Sequence, residues 1–193
     1  MDDLLTGASL QRYERDGYLP YWADVWPASV CLARHLVRGP SLDGLRVLDL
    51  GCGVGVAGIG ARRMGAEVTF ADLDPDALAF AEFNARNNPP SIGNAAFSTM
   101  QFDWNATTVP GVFDRLLLAD VSYEKVNHEP LLRHLRACLA PGGVALQADP
   151  FRKDSDIFVA RLEAEFRVTI TTVETSFDEQ RVPLRLVTIE ARA

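Results

Sequence analysis

An apolar run that ends in a glycine-rich turn constrains this chain more than any other feature. Residues 47–50 are apolar apart from Asp49, and glycine then occupies every second position, at Gly51, Gly53 and Gly55. A helical pattern begins directly afterwards. Glycine permits positive φ angles and lets a ligand approach without a Cβ in the way, and a helix N-terminus favours an anionic group. The segment therefore predicts a nucleotide-type pocket at the end of a parallel strand.

Strands and helices alternate along most of the chain. Strands are predicted at 45–50, 67–71, 95–99, 113–119 and 144–148, and helices at 55–64, 74–87, 128–139 and 154–165. Such alternation implies a parallel sheet with helices on both faces. Two β-rich runs at 166–174 and 182–190 follow with no helix between them, so they should pair as a hairpin. We therefore predict an α/β fold with a doubly wound, mostly parallel seven-stranded sheet and an antiparallel C-terminal strand.

The length of 193 residues predicts one domain, with an N-terminal helical cap at 1–40 and a core at 41–193. In the cap, Asp24 is the expected N-cap of a helix that has Pro27 in its first turn and ends at Gly39-Pro40. A Pro in the first turn loses no hydrogen bond, because its N–H would have no helical partner.

Composition narrows the classes of function. The net charge is −7 and no dense basic run is present, which disfavours nucleic-acid binding because that binding depends on Lys and Arg at phosphates. No stretch approaches the roughly 20 apolar residues of a membrane span. Three cysteines make no disulfide framework, and no secretory signal is visible. The chain is expected to be cytoplasmic and monomeric.

The glycines fit two patterns. Gly53-x-Gly55-x-x-Gly58, with Asp72 about 20 residues further on, is typical of dinucleotide-binding folds. Asp49 lies two residues before the first glycine, however, and no residues remain for the substrate domain that a dehydrogenase needs. The pattern that starts at Asp49 instead resembles the first motif of class I S-adenosylmethionine-dependent methyltransferases, which have a Rossmann-like sheet.

Within that class, residues 20–150 resemble the seven-strand protein-lysine methyltransferases. Three blocks carry the resemblance: the tryptophan-bearing residues 20–27, the motif at 47–58 with the strand at 66–72, and residues 118–123, which contain Asp120-x-x-Tyr123. The first block and Ala148-Asp149-Pro150 are most similar to the enzymes that methylate the electron-transfer flavoprotein β-subunit.

The resemblance implies a site for S-adenosylmethionine, with S-adenosylhomocysteine as product. Asp49 would hold the cofactor's amino group or the loop that frames it, and Asp72 would accept hydrogen bonds from the ribose hydroxyls. Leu73 would pack on the adenine. The full implied set is Trp26, Asp49, Gly51, Gly53, Gly55, Asp72, Leu73, Asp103, Trp104 and Asp120.

Methyl transfer to a lysine side chain of a protein is the function that the resemblance implies, with Asp120 and Tyr123 as catalytic residues. The protein substrate would be the flavoprotein β-subunit or another protein. A small-molecule N- or O-methyltransferase, a non-catalytic cofactor-binding protein and an NAD-binding protein are the alternatives.

Two Cys/His pairs have the spacing of neighbours on a helix, Cys31 with His35 and His134 with Cys138. Four such side chains could bind zinc if the two helices met. The helices are expected to flank different parts of the sheet, so no metal site is predicted.

Overall fold

The computed structural model describes residues 14–15, 17, 19–106 and 111–192. Most of the predicted cap before residue 19, including Tyr18, lies outside the described residues. The strands are β1 (Arg46–Leu50), β2 (Glu67–Asp72), β3 (Phe97–Gln101), β4 (Phe113–Ala119), β5 (Leu139–Asp149), β6 (Phe166–Phe177) and β7 (Gln180–Ala191). The helices are α1 (Pro27–Arg38), α2 (Val56–Arg63), α3 (Pro75–Asn87), α4 (His128–Cys138) and α5 (Lys153–Glu165).

All seven strands belong to one sheet, in the order β3-β2-β1-β4-β5-β7-β6. Strands β1 to β5 are parallel, whereas β7 runs antiparallel to both β5 and β6. The predicted fold class is therefore confirmed. The central neighbours β1 and β4 mark the point where the strand order reverses, and ligands of open α/β sheets bind at such a point.

The sheet separates two hydrophobic cores. Val47 of β1 belongs to the core beneath α1, α2 and α3, and the adjacent Leu48 belongs to the core beneath α4 and α5, because successive strand side chains point to opposite faces. Cys31 and Cys138 lie in these different cores, so the two Cys/His pairs do not meet. Across the described residues, no group of three or more side chains is placed to hold a metal ion. None of the helices in that part of the chain has the length and apolar character that a membrane crossing requires.

Several predicted boundaries were wrong: β3 lies two residues later than predicted, and β6 and β7 are longer. Two further differences are explained by contacts. Trp26, not Asp24, is the N-cap of α1: Asp24 ends a short 3-10 turn at Tyr21–Ala23, where its N–H donates to the Tyr21 carbonyl. Strand β5 begins at Leu139 rather than at 144, because Leu139 already pairs with Phe113. The Pro-Gly-Gly segment forms an irregularity in the strand, with Gly142 at φ 74°, before Val144 pairs with Arg115.

The loop after β1 is held on its core side by the buried carboxylate of Asp49. Asp49 is 1% exposed, and its Oδ2 accepts a hydrogen bond of 2.8 Å from the Gly58 N–H in α2. A Cβ on Gly58 would lie 2.4 Å from a ring carbon of Phe70 and 2.9 Å from the same Asp49 oxygen. Gly58 therefore serves the packing of α2 on the sheet, and the space beside it is filled by protein.

Burial changes the acidity of this carboxyl. Desolvation raises the pKa of Asp49 from 3.8 to about 7, against the opposing effect of the Gly58 hydrogen bond. Between these two pH values the folded protein keeps a proton that the unfolded chain has lost. Its contribution to the free energy of unfolding therefore falls as the pH rises through this window.

We expect Gly58→Ala to lower the free energy of unfolding by about 2 kcal/mol, because the added methyl must displace Phe70 or Asp49 in a packed core. Gly39→Ala is the matched control: a Cβ there meets the nearest atom, the Leu36 carbonyl oxygen, at an ordinary 3.4 Å. Urea unfolding of both variants measures the difference. Equal stabilities would contradict the close packing at Gly58.

We expect Asp49→Asn to flatten the pH dependence of stability. Between pH 4 and 7 the free energy of unfolding of the variant should fall less than that of the wild type. The difference should be on the order of 4 kcal/mol, because each pKa unit of the Asp49 shift corresponds to about 1.4 kcal/mol. Urea unfolding at several pH values checks this. The control Asp178→Asn, in the exposed turn between β6 and β7, should leave the wild-type pH dependence in place.

Candidate active site

A cavity of about 320 Å³ lies at the carboxyl ends of β1, β2 and β4. Its remaining walls come from the segment before α1 and from the loop after β3. This volume falls in the range of sites for small organic molecules. The cavity is at the reversal point of the strand order, where the topology predicts a ligand.

Most of the predicted site residues line this cavity: Trp26, Gly51, Gly53, Asp72, Leu73, Asp103, Trp104, Asp120 and Tyr123. Asp49 and Gly55 do not. Asp49 lies beneath the loop, as described above. Gly55 is the left-handed N-cap of α2, with φ 86°, and a Cβ on it would lie 3.1 Å from both Ala81 and Phe70. These two residues shape the loop from the core side, and so does Gly58, which completes the dinucleotide-like pattern.

The loop has no room for a side chain at Gly51 or at Gly53. Gly51 has φ 70°, and a Cβ on it would lie 2.9 Å from both Trp104 and Val121. Gly53 has φ 52°, and a Cβ there would lie 3.1 Å from the Trp22 carbonyl oxygen. Both glycines line the cavity, and neighbouring protein atoms leave no room for a Cβ on either of them.

Asp72 connects the end of β2 to the glycine loop. Its Oδ2 accepts from the Gly53 N–H at 2.9 Å, and its Oδ1 accepts from the Asp74 N–H at 3.1 Å. Burial raises the pKa of Asp72, and these backbone hydrogen bonds oppose the rise. Each carboxylate oxygen has a second lone pair, so Asp72 retains the capacity to bind hydroxyl groups of a ligand. The N-cap of α3 is Asp74, whose Oδ1 accepts from the Asp76 N–H.

Trp104 is held in place by its polar atoms. The indole N–H donates to Asn127 Oδ1 at 3.1 Å, and Arg133 donates to the Trp104 carbonyl. Next to it, Asp103 forms a turn in which its Oδ1 accepts from the Asn105 N–H at 2.8 Å. Across the cavity, Leu73 is 58% exposed and available for contact with a flat ligand group.

Trp22 provides a hydrogen-bond donor that the described residues do not use. Trp22 is one of the residues that line the cavity, and its ring packs against Phe80, with 5.6 Å between ring centroids. The indole Nε1 is buried and has no hydrogen-bond partner among the described residues. A buried donor without a partner is unfavourable, and an acceptor atom of a ligand would satisfy it.

Asp120 forms an ion pair with Arg152. It follows β4 with a left-handed φ of 53°, and its two carboxylate oxygens each accept a hydrogen bond of 2.7 Å from Arg152. Burial raises the pKa of Asp120, and the Arg152 hydrogen bonds oppose that rise. The pairing raises the pKa of Arg152, so the guanidinium stays charged. The Asp120 carboxylate is therefore already occupied by a cation of the protein.

Aromatic rings surround this ion pair. The Arg152 guanidinium carbon lies 5.8 Å from the ring centroid of Trp26 and 5.7 Å from that of Tyr123. Tyr21 contacts both rings, at centroid distances of 6.3 and 6.5 Å, and its carbonyl accepts from the Trp26 indole N–H. Burial and the nearby Glu124 raise the pKa of Tyr123, so its hydroxyl is protonated at neutral pH.

A buried polar network supports the Asp-x-x-Tyr loop from below. The Ser122 hydroxyl, inside that motif, shares hydrogen bonds with Ser155 of α5 and Gln147 of β5. Gln147 also donates to Asp149, which forms a two-bond ion pair with Arg185 of β7 at 2.9 and 3.1 Å. The loop is thus connected to α5, β5 and β7.

No role was predicted for Asn127 or Arg152, and Trp22 was predicted only as part of the tryptophan-bearing block at 20–27. The position of Arg152 could have been found: it lies three residues after β5, and the carboxyl ends of the parallel neighbours β4 and β5 meet at one edge. The hydrogen bond of Asn127 to Trp104 has no counterpart in the sequence pattern.

Comparison with known proteins identifies the family. A sequence model of a family described as "Lysine methyltransferase" matches residues 13–165. The chain is 34% identical to Protein N-lysine methyltransferase METTL21A of Danio rerio over 163 residues, which are 82% of this chain and 73% of that protein. It is also 34% identical to the electron transfer flavoprotein beta subunit lysine methyltransferase of Danio rerio over 140 residues, 69% of this chain. That match spans only 51% of the relative's length.

Among solved structures, the N-methyltransferase NodS from Bradyrhizobium japonicum WM9, in complex with S-adenosyl-L-homocysteine, has a TM-score of 0.67 at 18% identity. The similarity covers 95% of this chain and 98% of NodS, and it concerns the fold. With the family match over most of its length, the chain belongs to the lysine methyltransferase family and is an S-adenosylmethionine-dependent methyltransferase.

Proposed function

We propose that this protein methylates a lysine side chain of another protein at the cavity described above, with Asp120 and Tyr123 at the acceptor side. The single observation that carries this proposal is the open mouth of the cavity beside the Arg152 ion pair. Tyr21 and Tyr123 are 45% and 37% exposed there, although both belong to the aromatic wall. A long, slender side chain can enter from solvent while the body of its protein stays outside.

The residues of the cavity suit the cofactor. Asp72 supplies a carboxylate with free lone pairs for ribose hydroxyls, and Leu73 and Trp104 supply apolar surface for the adenine. The bare backbone at Gly51 and Gly53 accommodates the amino-acid end, and the unpartnered Trp22 indole N–H can bind an anionic or carbonyl oxygen. When bound, S-adenosylmethionine supplies an activated methyl group on a positively charged sulfur.

The protein's own contribution is alignment and exclusion of water. Tyr123, Tyr21 and Trp26 form apolar walls that restrict how an acceptor side chain enters. Because its carboxylate is paired with Arg152, Asp120 would orient the amine through its backbone carbonyl. Asp103 would lie near the adenine amino group.

The names of the relatives suggest which protein acceptors to test. Their names refer to the electron transfer flavoprotein beta subunit, to EEF1A and to calmodulin. We propose the flavoprotein β-subunit as the first acceptor to test, because residues 148–150 resemble the enzymes of that group. The net charge of −7 suits a basic segment around the target lysine.

Trp22→Phe should weaken binding of S-adenosylhomocysteine about 5- to 10-fold, because one hydrogen bond to the ligand is lost. Stability of the ligand-free protein should change little, since the indole N–H has no partner there. Isothermal calorimetry and thermal melting measure the two effects. Trp104→Phe is the contrast: it should destabilise the ligand-free protein by leaving Asn127 Oδ1 without its donor. Unchanged affinity in Trp22→Phe would place the indole N–H away from the ligand.

Methyl transfer itself is tested with tritiated S-adenosylmethionine, the purified flavoprotein β-subunit and, in parallel, a cell lysate. We expect a labelled protein that contains methyllysine. Tyr123→Phe should retain product affinity but transfer methyl groups about 10-fold more slowly, because the hydroxyl no longer helps to place the amine. Tyr21→Phe is the matched control, with a near wild-type rate. Tight product binding without any labelled protein would overturn the proposal and favour a small-molecule acceptor or a non-catalytic role.

A further inference from the structure

The Asp120 carboxylate is almost fully buried, and its negative charge is balanced by a neighbouring guanidinium. It is 7% exposed, and Arg152 binds both oxygens in the planar two-bond arrangement of a guanidinium and a carboxylate. The pair is therefore close to neutral when seen from the acceptor side. Arg152 itself is the N-cap residue of α5 and comes from a separate part of the chain.

Other charged groups near the pair are either matched or exposed. Asp149, at the end of β5, is paired with Arg185 of β7, which also binds Asp156 of α5. Glu124, after the Asp-x-x-Tyr loop, and Asp24, before α1, are exposed to solvent. Among the described residues, further titratable neighbours are the hydroxyls of Tyr21 and Tyr123 and the buried imidazole of His128, whose Nε2 lies 3.0 Å from the Ser122 carbonyl oxygen. Asp120 is thus a buried carboxylate on the acceptor side, and Arg152 is the group that balances its negative charge.

The protonation of the acceptor makes this charge balance important. A lysine amine has an unperturbed pKa of about 10.4, and only its neutral form attacks a methyl group. A carboxylate within 4–6 Å favours the charged form of an amine by about 1–3 pKa units. An unpaired Asp120 would therefore hold an entering lysine as an unreactive ammonium ion.

We propose that Arg152 is a positioning residue that acts through Asp120: it neutralises this carboxylate so that the acceptor amine enters an uncharged site and reacts as the free base. This inference rests on the proposed transfer to lysine. The same contacts keep Asp120 in its left-handed conformation and fix the rings of Trp26 and Tyr123, so one guanidinium sets both the charge and the shape of the acceptor side.

The test compares pH–rate profiles from pH 6.5 to 10 at saturating tritiated cofactor. The acceptor in every assay is the protein that the wild-type enzyme was found to label. Arg152→Met leaves a carboxylate, so its acid limb should move about one pH unit to higher pH, with an approximately 10-fold lower rate near neutral pH that recovers in alkali. Asp120→Asn leaves a guanidinium, so its acid limb should move to lower pH. The double variant should return the limb to the wild-type position, and Arg152→Lys should stay close to it.

Arg167→Met is the matched control, because Arg167 pairs with Glu190 on the exposed surface of β6 and β7. Calorimetry with S-adenosylhomocysteine and thermal melting establish that each variant is folded and binds product. If Arg152→Met does not fold, the opposite shift in Asp120→Asn still decides the matter. A uniform loss of rate at every pH, or shifts in the same direction, would overturn the inference. An inactive wild type would instead overturn the proposed function.

Discussion

The hydrogen bond from the Gly58 N–H to the buried Asp49 carboxylate fixes the edge of the sheet on which the site is built. It ties the first turn of α2 to β1, and Phe70 then fills the space that a side chain at position 58 would need. From the other side, Asp72 of β2 accepts from the Gly53 N–H. Two carboxylates from adjacent strands thus hold the glycine loop between them, and the bare backbone that faces the cavity is a consequence.

Much of this arrangement could be predicted from the sequence because it depends on local patterns. Alternation of apolar strands and helices gives the seven-stranded sheet, and the rule that ligands bind at the carboxyl ends of parallel strands brings Asp72, Trp104 and Asp120 to one cavity. Glycine spacing was less informative. A glycine required by a ligand and one required by core packing look alike in a sequence, so Gly55 was expected at the ligand and packs against Ala81 and Phe70 instead. Of the two roles expected for Asp49, the structure shows a contact that supports the loop.

The features that were missed depend on pairing between distant segments. Arg152 and Asp120 are 32 residues apart and meet because β5 lies beside β4. The N-cap of α1 was wrong for a related reason. Asp24 has good capping chemistry, but the Trp26 indole binds the Tyr21 carbonyl and the 3-10 turn at Tyr21–Ala23 takes up Asp24, so the helix starts later. Propensity identifies candidates for a position, whereas tertiary contacts select among them.

The two halves of the site balance negative charge by different means. On the cofactor side, Asp49 and Asp72 are satisfied by backbone N–H groups, which leave lone pairs of the cavity-lining Asp72 available to a polar ligand. On the acceptor side, Asp120 and Asp149 are each bound by a guanidinium, which cancels their charge. This division suits the chemistry of a lysine methyltransferase: a polar, hydroxyl-rich donor is held by anionic and backbone groups, and an amine that must be neutral to react enters beside paired charges and aromatic rings.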